Sequence, residues 1–343
     1  MQTHIKELTL AQLESVLDNW QEPRFHARQI LSWIYKKGAG DFDSMSNLSG
    51  ALRARLNKEF FLNTITLLKK VKSIDGTQKL LLDLGQGDII EAVLIPAEGR
   101  VTGCVSSQVG CKFACRFCAS GTLGFKRNLT CGEILDEVCI LKNNSVGGEL
   151  THLVFMGTGE PFDNYDNVLK AIRIINSKDC LAIGARRITI STSGIIPAIK
   201  RLPEEKLQIE LSISLHAPDD AVRSLLMPVN KKYPLKSLLE ACKEYIAKTN
   251  RQVTFEYVLI KGLNSDLQNA MKLSTILRGL NCKVNLIPAN PIKELSIEPP
   301  NKLEVLMFRN YLLKSGIHVT LRLPRGKDID ASCGQLRLGY EKK

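Results

Sequence analysis

From about residue 100 onwards, short β-branched and aliphatic runs alternate with amphipathic helical segments, and this rhythm constrains the fold more than any other feature of the chain. A strand that is apolar almost throughout has to be covered, and each crossover helix supplies that cover by packing back onto a parallel sheet. The strand candidates are residues 101–106, 152–156, 187–191, 208–215, 253–260 and 283–288. Six βα units fall short of the eight that close a barrel. The expected architecture is therefore α/β, an open or partial (β/α)6 barrel, with 318–323 as a candidate late strand.

In such sheets the reactive groups sit on the loops after the carboxyl ends of the strands. That rule gathers the unusual polar motifs on one rim. Cys111, Cys115 and Cys118 follow the first strand and Gly157-Thr158-Gly159-Glu160-Pro161 the second. Ser191 ends the third, Ser214-Leu215-His216 the fourth, and Asn290 lies just past the sixth.

Two segments precede the alternating region. Leu8, Leu10, Leu13, Val16 and Leu17 recur at helix spacing, and Ile30, Leu31, Trp33 and Ile34 mark a second helical stretch, so residues 1–63 read as a small helical domain. Residues 79–84 and 88–95 flank Gly85-Gln86-Gly87 and read as a β-hairpin within a linking segment, 64–96. The main core is then 97–343.

With 343 residues and 44% hydrophobic content, the chain can bury a substantial core and is not a disordered protein. No apolar run approaches the roughly 20 residues that span a bilayer, and the first residues lack the charged and apolar blocks of a signal peptide. A cytoplasmic location is expected. There, ten cysteines are ligands, reactive thiols or core residues rather than a disulfide framework. The formal charge of +12 suits a polyanion such as RNA or DNA, although a generally basic surface gives the same number. Lys112, Arg116, Lys126 and Arg127 surround the cysteine loop, as phosphate contacts or as solvated charge.

The CxxxCxxC spacing of Cys111, Cys115 and Cys118 lets one loop wrap three thiolates around an iron–sulfur cube and leaves one iron without a protein ligand. An open iron can bind a small chelating molecule and pass it an electron. By spacing alone, a zinc site completed from elsewhere and three ordinary buried cysteines remain alternatives. Cys131, Cys139, Cys180, Cys242 and Cys282 fall at no ligand spacing and read as small core residues. Glu91, between Ile90 and Ala92, is either a desolvated carboxylate with a raised pKa, suited to act as a base, or an outward-facing strand residue. His216 taken alone reads as a core histidine at a strand end.

Together with Phe117 just before the last cysteine and the glycine-rich turn ending in Glu160, the loop resembles that of the radical S-adenosylmethionine (SAM) enzymes. Further segments narrow the resemblance: Cys-Val-Ser-Ser-Gln-Val-Gly-Cys at 104–111, Gly-Glu-Pro at 159–161, Ser-Leu-His-Ala-Pro at 214–218 and Met-Pro-Val-Asn-Lys-Lys-Tyr at 227–233. Asn-Leu-Ile-Pro-Ala-Asn-Pro at 285–291 and Asp-Ile-Asp-Ala-Ser-Cys-Gly-Gln-Leu at 328–336 complete it. Over nearly its whole length the chain resembles the dual-specificity rRNA/tRNA adenine C2 methyltransferases of the RlmN type.

The resemblance implies a radical SAM barrel with a [4Fe-4S] cluster on Cys111, Cys115 and Cys118. It implies two SAM molecules per turnover, bound through Gly159, Glu160, Ser191, Ser214, Leu215, His216 and Asn290. Carbon 2 of adenine is electron-poor and cannot attack a sulfonium methyl, whereas a thiolate can. Cys333 matches the cysteine that is S-methylated, Cys104 the thiol that resolves a covalent protein–RNA adduct and pairs transiently with Cys333, and Glu91 the proton acceptor. The implied partners are 23S rRNA, certain tRNAs and an electron donor such as flavodoxin, with no membrane and a monomeric chain.

Thr158, Ala289 and Leu323-Pro324 depart from the family pattern without removing a catalytic group. A related Cfr-like family methylates carbon 8 and shares the catalytic residues; Pro288 and Arg325-Gly326 resemble the C2 enzymes more. A further alternative is a non-catalytic RNA-binding protein whose three cysteines hold a structural metal. It predicts zinc and no SAM cleavage.

Overall fold

Ten strands form one sheet whose spatial order is the order of the chain. In the computed structural model, which describes residues 2–121, 124–146, 148–290 and 297–331, they are β1 Thr66–Lys72, β2 Gln78–Asp83, β3 Ile89–Ala97, β4 Arg100–Cys104 and β5 Leu150–Phe155. β6 Ile188–Thr192, β7 Glu210–Ser214, β8 Val253–Leu259, β9 Cys282–Pro288 and β10 His318–Leu321 follow. Pairing is antiparallel from β1 to β4 and parallel from β4 to β10.

A parallel run without a reversal of strand order has no switch point. Crossovers of one hand therefore place every helix on the same side, and the sheet curls away from them into a half-barrel. The late strand candidate at 318–323 is β10, paired in parallel with β9. The hairpin around Gly85-Gln86-Gly87 is β2–β3, and β1 extends it by a strand that the sequence pattern did not reveal. Most β1 residues are exposed on both faces, so Thr66–Lys72 carries no clean alternation to read.

Three helices, α1 Leu10–Asn19, α2 Phe25–Tyr35 and α3 Gly50–Glu59, form the amino-terminal module, closed by a parallel pairing of Thr3–His4 with Phe60–Phe61. The crossovers of the half-barrel contain α4 Cys131–Asn143, α5 Tyr165–Asn176, α6 Ile196–Arg201, α7 Asp220–Leu226, α8 Leu235–Thr249, α9 Leu267–Leu277 and α10 Lys302–Lys314. Leu13, Leu17, Ile30 and Leu31 of the module belong to the same buried apolar cluster as Ile190, Ile213, Phe255 and Val284 of the barrel.

The module docks on α4 through a polar knot around Asp136. This buried carboxylate takes Lys6 Nζ at 2.5 Å, His4 Nε2 at 3.1 Å and the Thr64 N–H at 2.7 Å. Burial alone would raise its pKa, but His4 and Lys6 hold it below the usual carboxylate range.

Strand alternation divides the barrel residues cleanly. Ile190, Leu211, Ile213, Phe255 and Val284 are buried in the core beneath the helices. The intervening positions Ser191, Ser212, Ser214, Glu256 and Asn285 line the concave face. A closed barrel would fill that interior with apolar layers. This one keeps it polar and open. Among the described residues, no helix is long and apolar enough to cross a membrane.

Candidate active site

The loop after β4 and the turn after β5 are zipped together by backbone and short polar side chains. Ser107 N–H and Gln108 N–H donate to Thr158 O at 2.9 and 3.2 Å, Thr158 N–H to Ser106 Oγ at 2.9 Å, and Glu160 N–H to Gln108 Oε1 at 2.9 Å. Ser106 Oγ donates to Glu91 O at 3.0 Å, and its N–H is held by both carboxylate oxygens of Glu137 on α4, at 2.9 and 3.1 Å. Glu137 is fully buried, and burial pushes its pKa well up.

Two glycines make this packing feasible. Gly110 has φ +76°, and a Cβ there would lie 2.0 Å from Gly124 O. Gly159 has φ +102°, and a Cβ there would lie 2.5 Å from Gln108 Cβ. An L side chain at either position meets both a left-handed backbone and a collision.

Cys111, Cys115 and Cys118 line one wall of a cavity at the carboxyl ends of the strands, with Phe113 and Phe117 between them. The loop is pinned by Arg116 N–H to Leu226 O at 2.9 Å and by Cys111 N–H to Gly124 O at 2.7 Å. Burial pushes the Cys111 thiol up to about 12 and Cys115 well above the usual range, and neighbouring thiols and Glu160 push in the same direction. Such sulfurs become thiolates only when a cation holds them, which is the behaviour of metal ligands.

Three thiols from one loop, lining one cavity wall with no fourth cysteine beside them among the lining residues, fit the three protein ligands of an open iron–sulfur cube.

Facing the thiols, the buried Glu160 carboxylate accepts Phe162 N–H at 3.0 Å and Ser193 N–H at 2.6 Å. Burial raises its pKa against those two donors, and among the described residues no lysine, arginine or histidine forms an ion pair with it. A desolvated carboxylate in this position suits a ligand ammonium.

Ser191, Ser214, His216 and Asn290 line the same cavity. Leu215, between Ser214 and His216, is not among the residues that line it, and its side chain is buried in the core. His216 has φ +57°, stands edge-on to Phe117 at 4.5 Å, and accepts Val258 N–H on Nδ1 at 3.0 Å. Burial, with Arg223 nearby, lowers its pKa to about 3. The ring is therefore neutral and carries its proton on Nε2.

Sequence reasoning missed Arg223. It is fully buried on α7 and donates to Ser193 O and Asn230 Oδ1 at 2.7 Å and to Ser214 O and Leu215 O at 3.2 Å. One guanidinium thus ties together the loops after β6 and β7. The signal in the sequence was an arginine between two motifs, which looks the same as any surface cation.

The other candidate residues lie on the concave face of the antiparallel end of the sheet. β3–β4 register pairs Val93 with Cys104, so Glu91 is a diagonal neighbour of Cys104 on the same face, roughly 7–8 Å away. Both are buried, and Lys79 Nζ lies 3.4 Å from Glu91 Oε1.

The carboxyl-terminal segment returns across this face. Gly326 N–H donates to Asp75 Oδ2 at 3.0 Å, Asp328 accepts Ile74 N–H at 3.1 Å, and Ala331 packs on Val93 and Cys104. Cys333 lies outside the described residues, two positions beyond Ala331.

Among the rim cations, Lys112 pairs with Asp163 at 2.6 Å, Lys126 with Asp88, and Arg127 with Asp88 at 2.6 Å and Glu133 at 2.8 Å. Cys131, Cys139, Cys180, Cys242 and Cys282 are buried in the core, away from this cavity.

The sequence profile of the Radical SAM superfamily matches residues 105–273, and that of the ribosomal RNA large subunit methyltransferase N-terminal domain matches residues 3–62. A protein of Clostridium novyi named "Probable dual-specificity RNA methyltransferase RlmN" is 44% identical over 338 residues, 98% of each chain. One of the same name from a Thermoanaerobacter species is 45% identical over 341 residues, 99% of each chain. A crystal structure of a radical SAM methyltransferase from Sphaerobacter thermophilus superposes with a TM-score of 0.95 at 45% identity, covering 98% of this chain and 99% of that one.

Proposed function

The chain belongs to the RlmN family of radical SAM, dual-specificity RNA methyltransferases, and from that we propose how its own residues divide the reaction. It is an enzyme that methylates carbon 2 of adenosine in RNA, with a [4Fe-4S] cluster and SAM as cofactors. When bound, these supply a methyl group and the means to abstract a hydrogen atom.

Cys111, Cys115 and Cys118 would hold the cluster through their thiolates. Glu160 receives the SAM ammonium in a site where burial makes a lone carboxylate costly and a paired one favourable. Ser191, Ser214, the His216 Nε2–H and Asn290 orient the rest of the molecule. Phe113, Phe117 and Met227 form the apolar wall that keeps water out.

The methyl group is carried to RNA by cysteine. The Cys333 thiolate accepts it as a thioether; this methyl carbon then gives up one hydrogen atom and bonds to carbon 2 of the base, the electron that must leave with the carbon 2 proton being one that the cluster, when bound, would take up. Glu91 takes the proton that leaves carbon 2. The Cys104 thiolate attacks the Cys333 sulfur, the sulfur–carbon bond breaks with its electron pair passing into the base, a proton completes the methyl group, and the resulting disulfide is returned to thiols by a reductant before the next turnover. The observation that supports this division is the strand register: Glu91 and Cys104 share one face, and Ala331, close in sequence to Cys333, packs on that face.

The RNAs are 23S rRNA and certain tRNAs, an electron carrier of the flavodoxin kind supplies the reducing equivalent, and the chain works as a monomer in the cytoplasm. The decisive assay incubates reconstituted enzyme with SAM, a reductant and rRNA or tRNA, then digests the RNA and separates methyladenosines. 2-Methyladenosine is expected. Only the 8-methyl isomer, or neither product, would refute the reading. Cys104→Ala should accumulate a covalent protein–RNA adduct; free methylated RNA from that variant would remove Cys104 from its role.

A further inference from the structure

The cofactor cavity does not end at the cysteine rim. Met156, Glu256 and Arg322 line both it and a second, wider cavity of about 630 Å³ at the opposite end of the half-barrel. This second cavity is walled by the amino-terminal ends of the strands. Arg100 opens β4, Arg187 immediately precedes β6, and Lys283 is the second residue of β9.

Its charge is one-sided. Among the described residues, the lining carboxylates are Glu210 and Glu256; Glu210 is paired with Arg251, and Glu256 Oε1 takes Ser212 Oγ and Asn285 Nδ2 at 3.2 Å. Burial, followed by the charges of Arg100 and Arg187, lowers the pKa of His152 between them. The cysteine rim differs in that three of its four cations, Lys112, Lys126 and Arg127, are held by carboxylates, while Arg116 is exposed.

Position points the same way as charge. Val154 and Met156 border this second cavity and also pack against the small cluster of Val93, Cys104 and Ala331, while Met156 lines the cofactor site. The second cavity thus borders both the cofactor site and the Cys104 face.

We propose that the target adenosine enters through this amino-terminal mouth and that Arg100, Arg187 and Lys283 hold the phosphates flanking it. The proposal rests on the reading of the chain as an RNA methyltransferase and adds a route and a set of phosphate contacts to it. Each contact releases counterions, so each contributes to the salt dependence of RNA affinity.

The test is RNA binding by the reconstituted full chain against KCl concentration, using a tRNA that the wild type methylates. The triple variant Arg100→Gln, Arg187→Gln, Lys283→Gln should lower the slope of log affinity against log salt by roughly 2 to 3, and each single variant by about a third of that. Lys112→Gln with Lys126→Gln should change it by less than about 1. Unchanged melting temperature and cluster absorbance establish that the variants are folded; should the triple variant unfold, the single variants decide.

A wild-type slope in the folded triple variant overturns the proposal. So does a slope lost only in the rim variant, which would move the RNA to the cysteine side. If the wild type methylates no RNA, the enzymatic reading fails first and the proposal with it.

Discussion

Replacing Arg223 tests whether a single buried side chain holds the cofactor loops in register. Its guanidinium makes four well-formed hydrogen bonds, two at 2.7 Å and two at 3.2 Å, to carbonyl-type oxygens of Ser193, Ser214, Leu215 and Asn230. Truncation to alanine strands those buried acceptors, at about 1–3 kcal/mol each. Relief of the buried charge offsets several kcal/mol of that total. Burial alone lowers the guanidinium to about 10, so the group is charged at neutral pH and that cost is present in the wild type.

The net expectation for Arg223→Ala is a loss of about 3–5 kcal/mol in urea unfolding of the apoprotein. At about 2 °C per kcal/mol for a chain of this length, the melting temperature should fall by roughly 6–10 °C. Because the stranded carbonyls belong to the loops that carry Ser191, Ser214 and His216, SAM affinity of the folded, reconstituted variant should fall at least about tenfold, 1.4 kcal/mol. Arg223→Lys keeps a cation but not the fork and should recover only part of both losses. The reasoning is refuted if Arg223→Ala loses less than about 1 kcal/mol, or if the folded variant binds SAM as the wild type does.

Gly159→Ala forces a side chain into a left-handed backbone against Gln108 and should abolish measurable SAM binding by calorimetry while leaving the module folded. Asp136→Ala strands Lys6 and the Thr64 N–H in the buried seam between module and barrel, and should cost about 3–5 kcal/mol, seen as early proteolytic release of residues 1–63.

Asp75 governs a pH effect at the carboxyl-terminal segment. Burial would raise its pKa, but donors from Thr77 and Gly326 overcome this and lower it to about 2. With the folded value below the unfolded one, its contribution is fully present above pH about 4 and is lost as pH falls through about 2. Asp75→Ala should reduce RNA methylation more than SAM cleavage, because it loosens the segment that leads to Cys333 and leaves Glu160 untouched; equal losses in both assays would contradict this.

Much of the site is local and was readable as such. The spacing of Cys111, Cys115 and Cys118, the glycine turn before Glu160 and the strand ends at Ser191 and Ser214 each lie within a few residues of chain, so their chemistry is written as motif. The βα rhythm placed them on one rim because parallel strands all end at the same side. β1 escaped notice because both its faces are largely exposed. Arg223 escaped because burial, which makes it unusual, is not a property of a residue type.

The sequence by itself determined a half-barrel with a three-thiol loop at its carboxyl rim, since periodicity and motif spacing are properties of the chain. Only the tertiary structure decided that Glu91 faces inward beside Cys104, that Lys112, Lys126 and Arg127 at the rim are already paired, and that a second cation-lined cavity opens below. Those facts depend on register, burial and charge pairing between segments far apart in sequence, and such interactions have no local signature for a pattern to carry.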